Sequence, residues 1–497
     1  MPPRKKSAAP VTPQARLSSV IDQARKVMRK DAGLNGDLDR IPQLAWLLFL
    51  KAFDGMEQER EVVEPDYRPA IEEPFRWRDW AADPVDGRTG EELISFVNDD
   101  LLPYLRDLVG DSDRDSRDVL ATVFRETYNR MVSGYLLRDV IDQVSKIDFT
   151  SSDDVHTMAL LYESMLREMR DAAGDSGEFY TPRPVIRFMV QMVDPKLGEV
   201  VLDPACGTGG FLVEALEHLR PQVSTVAERE SLTRDLRGTE KKPQSFLLGL
   251  MNLLLHGLER PNLQRNNSLA RPLKEISRAD KVDVILTNPP FGGEEEKSIL
   301  ENFPAGTQTA ETAWLFMQLV QRLLADNGRC AIVVPNGVLF ADGAGARIKA
   351  ELMRTCNLHT VVRLADGVFS PYTDIPSNLL FFEKTGPTTD VWFYEIPPPE
   401  GRKKYSKTRP MRFEEFAGCA EWWGGPERDG RVENERAWTV PAADIEASGF
   451  NLDLKNPHRP DDLAHRPPEE LIAELIATER EILDLLGELE AEFGGTA

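Results

Sequence analysis

Three things are scarce in this sequence. Only four cysteines occur in 497 residues, Cys206, Cys330, Cys356 and Cys419. No two form a CxxC pair, which argues against a zinc cluster or a disulfide framework and fits a reducing cytoplasm. No apolar run approaches the roughly 20 residues of a membrane span; the longest, Leu44 to Leu50, reads as a buried helix segment. Basic residues are outnumbered: 60 Lys and Arg against 83 Asp and Glu leave a net charge of -23. A protein that grips nucleic acid alone usually shows a basic footprint. Either nucleic acid is not the substrate, or a partner supplies most of the grip. Met1 to Lys6 carries basic residues with no apolar core behind them, so residues 1–15 read as a disordered basic tail rather than a signal peptide.

The length suggests about three domains, and a 41% hydrophobic content is enough for real cores. Residues 16–170 read as an all-helical domain, with a proline- and tryptophan-rich loop from Pro65 to Gly90. From there to residue 400 short apolar runs alternate with helical patterns. Val200–Leu202, Val282–Leu286, Cys330–Val334, His359–Val362 and Asn378–Phe382 are the candidate strands. That alternation predicts an α/β, doubly wound, mainly parallel sheet that ends near Ile396. Residues 401–466 read as an irregular extension. Residues 467–497 hold a final helix, Glu469 to Phe493, with an apolar stripe and nine carboxylates against one arginine.

Ligands of such sheets bind beyond the carboxyl ends of the strands, and two loops stand there. The first is Asp203-Pro204-Ala205-Cys206-Gly207-Thr208-Gly209-Gly210-Phe211, between a strand and a helix. Its glycines allow close backbone approach and open a helix with free N–H groups. No Lys-Ser/Thr follows, so it is not a phosphate loop, and the full dinucleotide fingerprint is missing. It suits a ligand with a carboxylate and an adenosine but no phosphates, which describes S-adenosylmethionine. A tight turn that simply needed glycine is the plainer reading. Glu240, at the end of the next strand, is the candidate for ribose hydroxyls. Its distance from the glycines requires an extra helical piece in between, and a surface glutamate beside Lys241 and Lys242 is the alternative.

The second loop is Asn288-Pro289-Pro290-Phe291. Two prolines fix φ and remove two backbone donors. The stiff turn presents the Asn288 side-chain carbonyl and the Pro289 main-chain carbonyl. Those acceptors can hold an aromatic amino group, whose lone pair is otherwise delocalised, in its pyramidal, attacking form. In-line placement of a sulfonium methyl then suffices, with no strong general base. Phe291 offers a face for an extruded base. Just beyond, Glu294-Glu295-Glu296 reads as a mobile loop hinged at Gly292 and Gly293.

Together these features resemble the modification subunits of type I restriction–modification systems, from the helical N-terminal region to about residue 457. Gly177 to Pro184 resembles the family's upstream cofactor motif, and the segments Glu240–Gly257, Phe369–Thr373 and Asn451–Pro457 are also family-like. The resemblance implies a class I (Rossmann-like) methyltransferase sheet and N6-adenine methylation of double-stranded DNA. It implies that Glu178, Phe179, Tyr180, Thr181, Pro182 and Arg183 contact S-adenosylmethionine together with Asp203, Thr208, Gly209, Gly210 and Glu240. Asn267 would approach the cofactor's adenine. It implies a separate specificity subunit flanked by two modification subunits, with room for a restriction subunit, and no metal. His256 reads as structural. The acidic charge then fits, because the partner reads the target. The final helix would pack on the specificity subunit or on its own chain. The basic run Arg402–Arg412 would touch phosphates or neutralise nearby acids. Cytosine-N4 methylation, protein glutamine methylation and a non-catalytic scaffold remain as alternatives.

Overall fold

A computed structural model describes residues 12–83, 87–110, 115–151, 157–159, 161–166, 181–258, 260–370, 373–398 and 400–458, with 476, 479 and 480. Apart from Ile476, Glu479 and Arg480, the expected final helix at 467–497 lies outside the described residues, as does most of the basic tail.

Among the described residues nine strands form one sheet: β1 (Val201–Asp203), β2 (Leu236–Glu240), β3 (Asn262–Arg265), β4 (Val282–Thr287), β5 (Leu324–Pro335), β6 (Asn357–Arg363), β7 (Ser377–Glu383), β8 (Asp390–Glu395) and β9 (Ala437–Pro441). Their order is β3-β2-β1-β4-β5-β7-β6-β8-β9. Strands β1 to β5 pair in parallel, as do β6 and β8, while β7 runs antiparallel to both β5 and β6. The strand order reverses between β1 and β4, so a crevice opens where their carboxyl ends diverge.

The centre of the sheet is buried on both faces, which is why its strands read as continuous apolar runs. On β5, Ala331 and Val333 join a core with the helices Arg183–Val193 and Gly210–Leu219, whereas Cys330, Ile332 and Val334 join a core with Thr312–Leu323 and Ala344–Thr355. Alternate residues of one strand serve opposite layers because its side-chain period is two.

The N-terminal helices, led by Pro13–Met28 and Asp37–Val63, share a third core. Phe246, Leu247, Leu250, Met251 and Leu254 of the helix Pro243–Leu255 belong to it too. Every residue of that helix from Ser245 to Leu255 is buried, as expected of a helix apolar all round. One helix is thus common property of the helical layer and the sheet, and the buried Tyr162 hydroxyl donates to Leu248 O at 3.2 Å across the junction.

One expectation is corrected. The sheet does not end near Ile396: β9 pairs antiparallel with β8, and Trp438 stacks on Phe393 with centroids 5.2 Å apart. The stretch 401–458 is irregular only between such returns. Its Tyr405, Phe416 and Trp423 are buried against the sheet.

Candidate active site

Asp203 closes β1 with its side chain turned inward and 1% exposed. Its Oδ1 accepts from Ala205 N (3.0 Å) and from the Thr287 hydroxyl (2.8 Å), tying the tip of β1 to the tip of β4. Burial pushes its carboxyl up to about 7, against the pull of those two donors, and the nearby Glu240 charge adds to the rise. The chain then turns through Gly207 and Gly209, at φ 52° and 78°, a region glycine enters freely. Gly209 caps the helix Gly210–Leu219 with no side-chain hydrogen bond. The turn packs on Gly249 of the helix Pro243–Leu255, where a Cβ would stand 2.9 Å from Gly207 O. Beside it the buried Asn252 donates to Thr208 O at 2.9 Å.

Glu240 ends β2 and is 8% exposed. Its carboxylate accepts from Gly207 N (2.9 Å) and Lys242 N (2.7 Å). Burial raises its pKa, and the same two N–H groups oppose the rise. The helical spacer required between the glycines and Glu240 consists of Gly210–Leu219 and Val226–Asp235.

Asn288 follows β4 directly. Its amide donates to the Thr181 hydroxyl at 2.9 Å, across 107 positions of sequence. Its Oδ1 is buried and accepts from no donor among the described residues. Phe291 meets the buried Phe369 edge to face, with centroids 5.7 Å apart. A cleft is lined by Thr181, Arg183, Asp203, Thr208, Gly210 and Asn288, with Ile186 and Phe211 supplying apolar wall.

Most of the expected residues therefore converge, with distinctions. Arg183 reaches the cleft, but its guanidinium is bonded to Gly210 O and to Glu163. Pro182 caps the helix that Arg183 opens. Asn267 is drawn toward Glu295 (3.3 Å) at the outer rim. Glu178, Phe179 and Tyr180 lie outside the described residues. His256 contacts Asn252 O through Nδ1, and burial holds its pKa low. Among the described residues no His, Cys, Asp and Glu cluster could hold a metal ion, and no helix is long and apolar enough to cross a membrane.

The acidic triplet does not hang open. Gly293 O accepts from Thr312 N, and Glu295 N donates to Ala310 O. The basic run is docked rather than free: Tyr405 is buried, and its N–H donates to Asp366 O, three residues before Phe369. Thr287, Asn252 and Phe369 were missed as site residues. An asparagine inside the apolar run Phe246–Leu255 was the visible signal for one of them; for Thr287 there was none.

A doubly wound sheet with a glycine turn after β1, an acid after β2 and Asn-Pro-Pro-Phe after β4 defines a methyltransferase. Comparison with known proteins specifies it. Residues 153–465 match the N-6 DNA methylase model, and residues 17–144 the HsdM N-terminal domain. The chain is 49% identical to the methylase subunit of the type I restriction enzyme EcoEI of Escherichia coli, over 96% of this chain and 98% of that one. A crystal structure assigned to the modification subunit of a type I restriction enzyme from Vibrio vulnificus YJ016 superposes with a TM-score of 0.82. It is 55% identical and spans 92% of this chain and 100% of that one. A chain of a type I system studied for complex assembly and conformational transition also gives 0.82, at 40% identity, over 97% and 99%. The chain belongs to the N-6 DNA methylase family, as a methylase subunit of the type I restriction enzyme kind.

Proposed function

We propose that this chain moves a methyl group from S-adenosylmethionine to the N6 amino group of an adenine flipped out of double-stranded DNA. It does so as the catalytic subunit of a type I complex, in which two copies flank a specificity subunit that selects the target and a restriction subunit can join. The observation that carries the reading is the Asn288 carboxamide: a buried acceptor with no donor among the described residues, held at the cleft beside the glycine turn. Several buried polar atoms elsewhere in the chain also lack a partner, Asn252 Oδ1 among them; what distinguishes Asn288 is its place in the cleft lining, where a ligand's donor can reach it.

The residues present fit the cofactor. Glycine backbone at the mouth of a helix suits a carboxylate, the Glu240 carboxylate suits a ribose diol, and Ile186 and Phe211 line the wall. Thr181, Pro182, Arg183, Asp203, Thr208, Gly209, Gly210, Glu240 and Asn267 would hold it, along with Glu178, Phe179 and Tyr180. When bound, it supplies a methyl made electrophilic by a sulfonium.

The protein's own share is positional. Asn288 Oδ1 accepts a hydrogen from the adenine amino group, which draws the nitrogen toward pyramidal geometry and exposes its lone pair. Pro289 and Pro290 stiffen the turn that sets this distance. Phe291, backed by Phe369, stacks on the extruded base. The amino nitrogen gains the methyl and gives up a proton to solvent. The docked basic run Arg402–Arg412 flanks Phe369, where it can take phosphates.

Tritiated methyl transfer to DNA, with and without a co-expressed specificity subunit, tests the reading. N6-methyl-2′-deoxyadenosine appearing in the nucleoside digest only with the partner is the expected result. Label on protein or on cytosine would overturn it.

A further inference from the structure

The turn that begins at Asn288 does not stop at Phe291. Gly292 turns the chain at φ 71°. Gly293 O then receives both Thr312 N (2.9 Å) and the Thr312 hydroxyl (2.6 Å). Glu294 forms an antiparallel bridge with Glu311, and Glu295 N donates to Ala310 O at 3.1 Å. The backbone is thereby locked to the entry of the helix Thr312–Leu323. Of the three acids that follow, Glu294 and Glu296 face solvent. Glu295 turns in, and its side chain is 10% exposed.

Its two oxygens lie 3.0 and 3.1 Å from Lys241 Nζ, and Asn267 Nδ2 donates to Oε2 at 3.3 Å. Lys241 is the residue after Glu240. Asn267 lies two residues past β3, its Oδ1 fixed by Leu269 N at 3.0 Å. One carboxylate thus binds together the tips of β2, β3 and β4. The first two tips flank the place where an adenine lies if Glu240 holds its ribose. The third carries the loop that holds the substrate amino group. An exposed lysine pair adds little to folding, so stability does not account for turning an acid inward at a rim that already carries two others.

We infer that Glu295 is a positioning residue. It fixes Asn267 and Lys241 at the adenine end of the cofactor cleft and couples occupancy of that end to the placement of the Asn288 loop. The inference rests on the proposed reading of Glu240 and the glycine turn.

The test uses the full chain and S-adenosylhomocysteine, which binds without turnover. Calorimetry gives its Kd, and hydrogen exchange reports protection of residues 289–296 with and without it. Glu295→Ala should weaken binding about tenfold, a typical coupling between linked sites, and abolish the ligand-induced protection. Glu295→Gln keeps an acceptor for Asn267 and loses the charge facing Lys241, so it should fall between. The exchange Lys241→Glu with Glu295→Lys should recover part of the loss in binding and, with it, the ligand-induced protection of residues 289–296, the readout that a merely structural ion pair would not move. Should Glu295→Ala fail to fold, the glutamine and exchanged variants decide alone. Binding within about twofold of the parent in the variants that fold, with unchanged protection, would overturn the inference. A parent that binds no S-adenosylhomocysteine would instead overturn the proposed function, and this with it.

Discussion

The two ends of the parallel strands are built on opposite principles. At the amino end, Arg329 of β5 forms a two-pronged pair with Glu199 at 2.7 and 2.8 Å and adds bonds to Val193 O and Asp194 O. Burial pushes Glu199 up, but the guanidinium outweighs it and holds the carboxyl below its ordinary value. Nearby, Lys281 and Lys384 both donate to Leu324 O, closing the carboxyl end of the helix Thr312–Leu323. At the carboxyl end, Asp203 and Glu240 are buried on N–H and hydroxyl donors, and both are raised rather than lowered. Among the described residues, Asn288 Oδ1 has no donor. One end completes its polar groups within the chain; at the other, Asn288 Oδ1 stays open toward the cleft. Local rules broken at one edge and kept at the other mark that edge as the working one.

Mutations at each end should break differently. Asn288→Ala should lower methyl transfer by about 10²–10³, the scale seen when one placed polar group is removed from a transition state. S-adenosylhomocysteine affinity should stay near the parent's by calorimetry, and retained transfer would refute the assigned role. Arg329→Met should cost about 2 kcal/mol in denaturant unfolding, because Glu199 and two carbonyls lose their donor. Cofactor affinity of the folded fraction should not change.

Asp203→Asn tests the raised carboxyl. The folded protein keeps that proton up to about pH 7, whereas an unfolded aspartate releases it near pH 3.9. Folding therefore loses stability from this group as pH rises between those values, and the loss is constant above them. The variant should gain stability relative to the parent across that window, read as a difference in melting midpoint. A pH-independent difference would show that the carboxylate is better solvated than its burial suggests. Phe369→Leu is the mildest change. It keeps most of the volume but removes the edge-to-face contact with Phe291, so transfer should fall about two- to tenfold with little loss of cofactor affinity.

Much of the frame was readable from the chain. Strand runs stopped at Asp203 and Asn288, and two loops of unusual chemistry began there. Glu240 was legible only as an acid at the end of the strand after the glycines, Leu236–Thr239, and a surface glutamate read equally well. What escaped had no local signature. β9 is an edge strand of five residues, too short and too isolated in sequence for its period to stand out from the glycine- and proline-rich stretch around it. The helix Pro243–Leu255 showed its apolar content but not that it serves two cores. The Glu294–Glu296 run looked like a solvated hinge, because no sequence rule tells which of three successive acids turns inward.

Sequence alone determined the covalent chemistry available: glycines that can adopt positive φ, prolines that stiffen the turn after β4, a carboxamide with one acceptor and an aromatic ring. These are properties of single residues and their immediate neighbours. Only the tertiary structure decided which of them work together. Thr181 orients Asn288, Thr287 holds Asp203, Phe369 supports Phe291 and Glu295 reaches Lys241 and Asn267. Each is a contact between distant chain segments. Such contacts depend on where parallel strands end in space, and residue spacing along the chain does not encode that.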